Sequence, residues 1–190
     1  YAVHAYIVAN YVLNSGSDEQ KQRYLKKMAS GECIGAIAMT EPGTGSDLQG
    51  IATTAKADGD DYIINGSKTF ITNGQHCDVV IVAAKTSAEG GAKGTSLFLV
   101  DCDTPGFQRG TNLDKIGLHC ADTSEMFFDN VRVSKTAVLG NLDEGFFVLM
   151  NELQRERLSL AIGAVYAAEG TLRETINYVK ERQAFGKPIA

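Results

Sequence analysis

The sequence predicts an α+β multidomain fold. Its middle domain is an antiparallel β-barrel or sandwich, flanked by the end of an N-terminal helical domain and the start of a C-terminal helical bundle. Three observations predict it. Residues 1–33 carry helical spacing and a helix-start signal, and residues 34–142 break into short runs rich in Val, Ile, Thr, Phe and Tyr. From residue 143 to 190 the apolar positions mostly return to helical spacing.

The elements follow in order. Val3, Tyr6, Ile7, Val12 and Leu13 give the first helix its apolar positions before Ser15-Gly16. Ser17-Asp18-Glu19-Gln20 is a capping box, opening a helix that buries Tyr24, Leu25 and Met28 and stops at Gly31. In "DYIINGSKTFIT" the pair Asn65-Gly66 lies between apolar alternations, the strongest short hairpin signal. The runs "DVVIVAAK", "TSLFLVDC" and "SEMFFDNVRV" are further strands, separated by "TSAEGGAKG", "DTPG" and "LDKIGLHCADT". From Asp143 to Glu181 an apolar stripe passes through Phe146, Met150, Leu153, Leu160, Ala164, Leu172, Ile176 and Val179, with a break expected near Gly163 or Gly170. A Gly186-Lys187-Pro188 terminator follows.

Composition narrows the function. The 190 residues carry 18 basic and 23 acidic side chains, a net charge of −5, with no basic stripe, so nucleic acid is not an expected partner. No apolar run approaches the roughly 20 residues of a membrane span, so no transmembrane segment is expected. No secretory leader is read at the start. Tyr1 opens without methionine inside a helical pattern, which reads as a piece of a longer protein. Cys33, Cys77, Cys102 and Cys120 are widely spaced, as are His4, His76 and His119, so no metal site is expected. Free, mostly buried thiols in a reducing compartment are the ordinary reading. The sequon Asn65-Gly66-Ser67 is taken as the hairpin turn.

Two motifs carry chemistry. "AMTEPGTGSD" is glycine-rich, yet no Gly-Lys-Ser/Thr follows it and no helix opens after it, so it fits neither phosphate cradle. Met39 and Thr40 close a strand and Pro42-Gly43 turns it, leaving N–H groups outside any ladder. Alone, this is also what an ordinary β-turn capped by Asp47 looks like. On the last helix, Glu156 and Arg157 fall on inward positions, which fits either a structural ion pair or a working carboxylate.

In order, "GSDEQKQRYLKKMASGE", "AMTEPGTGSD", "INGSKTFITNG", "QRERLSLAIGAV" and "YVKERQAFGK" resemble the acyl-CoA dehydrogenases, flavoproteins built as helical domain, β domain and helical bundle. The resemblance covers essentially the whole chain. It implies domains at 1–33, 34–142 and 143–190, the middle one binding FAD and acyl-CoA. It implies that Ile37, Ala38, Met39, Thr40, Glu41, Pro42, Gly43, Thr44, Gly45 and Ser46 line the flavin, with Phe70, Ile71, Thr72 and Arg182. Phe70 stands where the family often has tryptophan. Ser46, Ala92, Lys93, Phe147, Gln154, Arg155 and Arg157 are implied at the acyl-CoA. Glu156, in "QRERL", matches the base of the long-chain and isovaleryl members, which sits immediately before an arginine. Where the long-chain type has Leu-Pro-Gln, this chain has Leu153-Gln154-Arg155, which leaves the acyl-chain preference open. The implied reaction converts a fatty acyl-CoA to trans-2-enoyl-CoA, with electrons passed to electron-transfer flavoprotein, in a homotetramer. The implied location is the mitochondrial matrix in a eukaryote or the cytoplasm in a bacterium. The alternatives are an acyl-CoA oxidase using oxygen and a non-catalytic β-domain module.

Overall fold

The computed structural model describes residues 2–87 and 92–190, so Tyr1 and the middle of the connection predicted at 86–94 lie outside the described residues. The described chain forms two compact units, residues 1–152 and 153–190.

The first unit opens with a π-helical stretch, Val3–Val8, that runs into α1 (Ala9–Ser15). The wider π turn changes which side chains face inward. His4, Val8, Tyr11 and Val12 are buried, whereas the predicted Tyr6 and Leu13 are exposed. Gly35 N–H donates to Nδ1 of His4, so Nε2 carries the hydrogen and donates to Met28 O at 3.0 Å. That histidine is a core residue with both nitrogens engaged.

The helix α2 (Asp18–Ser30) starts as its capping box requires. Ser17 Oγ accepts from Gln20 N at 3.2 Å, and Gln20 Oε1 accepts from Ser17 N at 3.0 Å. Gly31, at φ 80°, ends it, and Tyr24 and Met28 face inward.

The sheet is built from β1 (Gly35–Ala38), β2 (Thr54–Asp58), β3 (Asp61–Thr72), β4 (Val79–Lys85), β5 (Thr95–Asp101), β6 (Phe107–Asn112), β7 (Thr123–Ser134) and β8 (Val138–Leu139). Its order is β6-β7-β3-β2-β4-β5-β8, with β1 paired to β4. The expected antiparallel pattern holds for most pairs, but β1 lies parallel to β4, and β2 meets β4 in parallel at Thr54 and Lys85. β6 was not legible as a strand: its Gln108, Arg109, Thr111 and Asn112 give an edge with no apolar alternation.

Strands β4 and β5 are buried on both faces, which explains their unbroken apolar runs. Val80, Val82, Phe98 and Val100 join Ile64, Met126, Phe128 and Val131 in one core. Val79, Ile81, Leu97 and Leu99 face the other way and pack with Val8, Tyr11, Tyr24, Met28 and Leu149. One pair of strands thereby fastens the helices to the sheet.

The hairpin expected at Asn65-Gly66 lies elsewhere. β2 and β3 are joined at Asp58–Asp61, where Gly59 takes φ 65°. Asn65 and Gly66 sit inside β3 at a bulge against β7. Thr53 packs so closely there that a Cβ on Gly66 would lie 2.4 Å from its Oγ1. Glycine serves close approach at this point rather than a turn, and the sequon belongs to the same bulged strand.

The helix α3 (Gly145–Glu181) is unbroken through Gly163 and Gly170. An interior glycine costs about 1 kcal/mol relative to alanine, too little to interrupt a long helix by itself. Its buried positions are Gly145, Leu149, Glu152 and Glu156, rotated from the expected stripe. Phe146, Met150 and Leu153 are half-buried, and Leu160, Ala164, Leu172 and Ile176 are exposed. Beyond it, β9 (Gln183–Ala184) and β10 (Lys187–Pro188) form a small hairpin over Phe185-Gly186, both at positive φ.

Replacing Gly66 with alanine should destabilise the folded chain by about 1–3 kcal/mol, the usual range for overpacking. A urea unfolding curve measures this. An unchanged midpoint would mean that Thr53 yields without cost.

Candidate functional site

The glycine-rich loop leaves β1 at Ala38, which is buried opposite Val82. Glu41 N donates to Thr44 O at 2.8 Å and Thr44 N donates to Glu41 O at 3.0 Å, so Pro42 and Gly43 form a closed two-residue turn. This corrects part of the expectation, because those two N–H groups are engaged within the loop. Gly45 and Ser46 are exposed, and among the described residues no protein acceptor faces their N–H groups. Asp47 Oδ1 then accepts from Gln49 N at 3.2 Å and caps a short 3-10 turn, Leu48–Gly50.

A buried ion pair holds this loop. Lys68, on β3, is fully buried and places Nζ 2.8 Å from Glu41 Oε1 and 3.0 Å from Met39 O. The Glu41 carboxylate also accepts from Ala52 N at 2.6 Å and Thr53 N at 3.0 Å. One residue on, Thr69 N donates to Thr40 O at 2.9 Å. The loop is therefore tied to β3 at consecutive residues, and to the 52–53 segment through one carboxylate. Burial strips hydration from the Lys68 ammonium and lowers its pKa to about 8, against which the Glu41 contact pulls upward. Burial raises the Glu41 carboxyl, but its bonds from Lys68, Thr53 and Ala52 together bring it below the ordinary value. The predicted flavin contact at Glu41 is thus a side chain already committed to the fold. Its backbone N–H and carbonyl are likewise engaged, with Thr44.

The same stretch of β3 aims the next candidates. Between Lys68 and Ile71 the register against β7 slips, so Lys68, Thr69 and Ile71 are buried while Phe70 is driven out. Phe70 is 66% exposed at φ 59°, a strained conformation for a bulky side chain. Such strain persists only where the surroundings impose it, and it clusters at ligand sites. Half-buried Thr72 ends the strand opposite Thr123. Asn73 follows at φ 65° and bonds Gly35 O at 3.0 Å, closing this end of β3 onto the start of β1.

Other candidates gather near the start of α3. Gly94 N donates to Asp143 O at 3.3 Å, and Asp143 Oδ1 accepts from Thr86 Oγ1 at 2.5 Å. These bonds set the turn bearing half-buried Ala92 and exposed Lys93 beside the residues leading into α3. Phe147, on the first turn of α3, is also exposed.

Along α3, Glu156 is buried at 7% exposure, as its position predicts. Arg157, expected inward, is exposed, because the buried line runs through positions 149, 152 and 156 and leaves 157 on the next face. Gln154 and Arg155 are exposed too, and Arg182 is exposed at the end of the helix. Sequence reasoning missed Glu152, which is buried one turn before Glu156 and accepts from Asn14 Nδ2 at 2.7 Å. Its spacing of four from Glu156 was the available signal. It also missed Lys68, a lysine inside an apolar alternation.

The arrangement offers a rigid loop with outward N–H groups, a strained exposed aromatic ring beside it, and a separate helix bearing a buried carboxylate. Family profiles for the acyl-CoA dehydrogenase N-terminal, middle and C-terminal domains match residues 1–32, 36–131 and 143–190. The chain is 54% identical, over its whole length, to the long-chain specific acyl-CoA dehydrogenase of Sus scrofa mitochondria, covering 45% of that protein. It superposes with a TM-score of 0.95 on the crystal structure of acyl-CoA dehydrogenase from Geobacillus kaustophilus, at 52% identity over 98% of this chain and 50% of that one. A glutaryl-CoA dehydrogenase from Mycobacterium smegmatis, in complex with FADH2, superposes at 0.88 with 39% identity over 95% of this chain and 45% of that one. The chain thus spans about half the length of the relatives it matches. With profiles for all three domains matched in order, the chain belongs to the acyl-CoA dehydrogenase family.

Proposed function

We propose that the full-length protein uses FAD to oxidise the Cα–Cβ bond of a fatty acyl-CoA, giving trans-2-enoyl-CoA. The observation that carries this reading is the buried Glu156 inside Gln154-Arg155-Glu156-Arg157 on α3. Identity to a long-chain relative supports a long acyl chain as substrate. Electron-transfer flavoprotein as acceptor and a homotetrameric assembly are proposed on family likeness, as is a matrix or bacterial cytoplasmic location.

The residues fit a flavin. A flat heteroaromatic ring needs an aromatic cover and donors along its edge. Phe70, forced outward, provides the first, and the free N–H groups of Gly45 and Ser46 provide donors on a loop that cannot drift. Ile37 to Ser46, Phe70, Ile71 and Thr72 would hold the ring, and Arg182 would meet the pyrophosphate of a neighbouring subunit's FAD. When bound, FAD supplies the acceptor for the β-hydrogen as hydride.

The protein's own work is proton chemistry and orientation. Glu156 removes the α-proton as a positioned carboxylate base. Thr72 would offer its hydroxyl as a hydrogen-bond donor at the edge of the ring. Ser46, Ala92, Lys93 and Phe147, and separately Gln154, Arg155 and Arg157 on α3, are the residues proposed to meet acyl-CoA.

Thr72→Val in the full-length protein should leave the melting temperature unchanged while weakening FAD retention by about 0.5–1.5 kcal/mol, one hydrogen bond's worth. Equilibrium dialysis measures it, and unchanged affinity would make Thr72 a plain strand residue. Glu156→Gln should keep FAD and acyl-CoA binding while slowing anaerobic flavin bleaching by about 10²–10⁴-fold, the usual contribution of a positioned base. Stopped-flow reduction beside a thermal melt separates the cases. Bleaching within a few-fold of the unmodified rate would remove Glu156 as the base.

A further inference from the structure

The sequence scatters its cysteines, but the fold does not. Cys77 and Cys102 lie 25 positions apart in the chain, yet their sulfur atoms approach to 3.4 Å. Cys102 follows β5, where its N–H donates to Asp78 O at 2.8 Å, so it is anchored to the sheet. Cys77 ends the turn between β3 and β4, with its N–H on Asn73 O at 2.8 Å and its carbonyl accepting from Arg109 Nη2 at 2.7 Å. Cys77 is fully buried. Cys102 is 8% exposed and borders a polar cavity of about 400 Å³, lined also by Cys33, Asp78, Asp101 and Arg109. The cavity is wide enough for molecules the size of water or peroxide.

We propose that Cys77 and Cys102 form a reversible oxidation site, a dithiol that hydrogen peroxide converts to an intramolecular disulfide. The step balances. A thiolate sulfur attacks one peroxide oxygen, breaking the O–O bond and giving a sulfenic acid and hydroxide. The second thiol sulfur attacks the sulfenic sulfur and the S–S bond forms, the sulfenic hydroxyl leaving with that thiol's proton as water. The first hydroxide takes up the proton released when the first thiol ionised, giving a second water. Both sulfur atoms are oxidised, and one peroxide is reduced to water. The hydrogen bond from Cys102 holds the Cys77 thiol below the ordinary thiol range, and the same contact pushes Cys102 up. The negative charge therefore rests on Cys77, with the Cys102 thiol at the cavity edge holding its proton toward it.

The geometry favours closure over alternatives. A disulfide bond is about 2.05 Å long, so the two sulfur atoms need to close by little more than 1 Å. Cys33, in the same cavity, has its thiol pushed up to about 11 by burial and by Asp78 and Asp101, which makes it a poor competitor. Transient disulfides of this kind are the form that oxidation takes in reducing compartments.

The test uses the folded full-length protein carrying Cys120→Ser, because Cys120 is exposed and would react first. After treatment with hydrogen peroxide and blocking of free thiols, peptide mass spectrometry without reductant should find Cys77 and Cys102 joined, with the loss of two hydrogens, and dithiothreitol should reverse it. In Cys102→Ser protein the cross-link should vanish. Cys77 and Cys102 both recovered as free thiols, or oxidised separately to sulfinic acid in folded protein, would overturn the proposal.

Discussion

The contact between Lys68 and Glu41 decides the path of the glycine-rich loop over the sheet. Neither side chain has water to fall back on, and removing one partner from a buried pair typically costs about 3–5 kcal/mol. A well-packed apolar substitute for the pair would be no less stable in general. Its role here is specificity: one carboxylate gathers the loop, the 52–53 segment and β3 at a single point. The loop around Pro42-Gly43 gains a fixed path without needing a ladder of its own.

The bulge beside Lys68 follows from the same constraint. The ammonium must turn inward to reach Glu41 and Met39, and Thr69 must present its N–H to Thr40. Strict alternation cannot bury both neighbours. The extra residue is therefore displaced, and Phe70 takes a left-handed backbone with its ring exposed. The ion pair fixes the loop, and the bulge beside it turns the Phe70 ring outward.

Much of this order is legible in the sequence, and the failures have physical causes. The capping box at Ser17 and the apolar runs of β4 and β5 depend on local spacing, so they read directly. The Asn65-Gly66 signal misled because glycine there relieves contact with Thr53, which comes close only through tertiary pairing. The first helix was read with its apolar face displaced, since a π-helical start changes the residues per turn. Glu156 stood out as a charge among apolar positions. Lys68, Glu152 and the Cys77–Cys102 contact are each defined by partners distant in the chain, and no local period records them.

The central claim is that the loop is held by one shared charge contact rather than by independent bonds. A double-mutant cycle on the full-length protein tests it most directly, with Lys68→Met, Glu41→Gln and the pair followed by urea unfolding. Each single change should be strongly destabilising, and the double variant should be less destabilised than their sum by about 0.5–3 kcal/mol, the range for residues in direct contact. Effects that add to within about 0.5 kcal/mol would show that the two side chains act separately. That result would contradict the account.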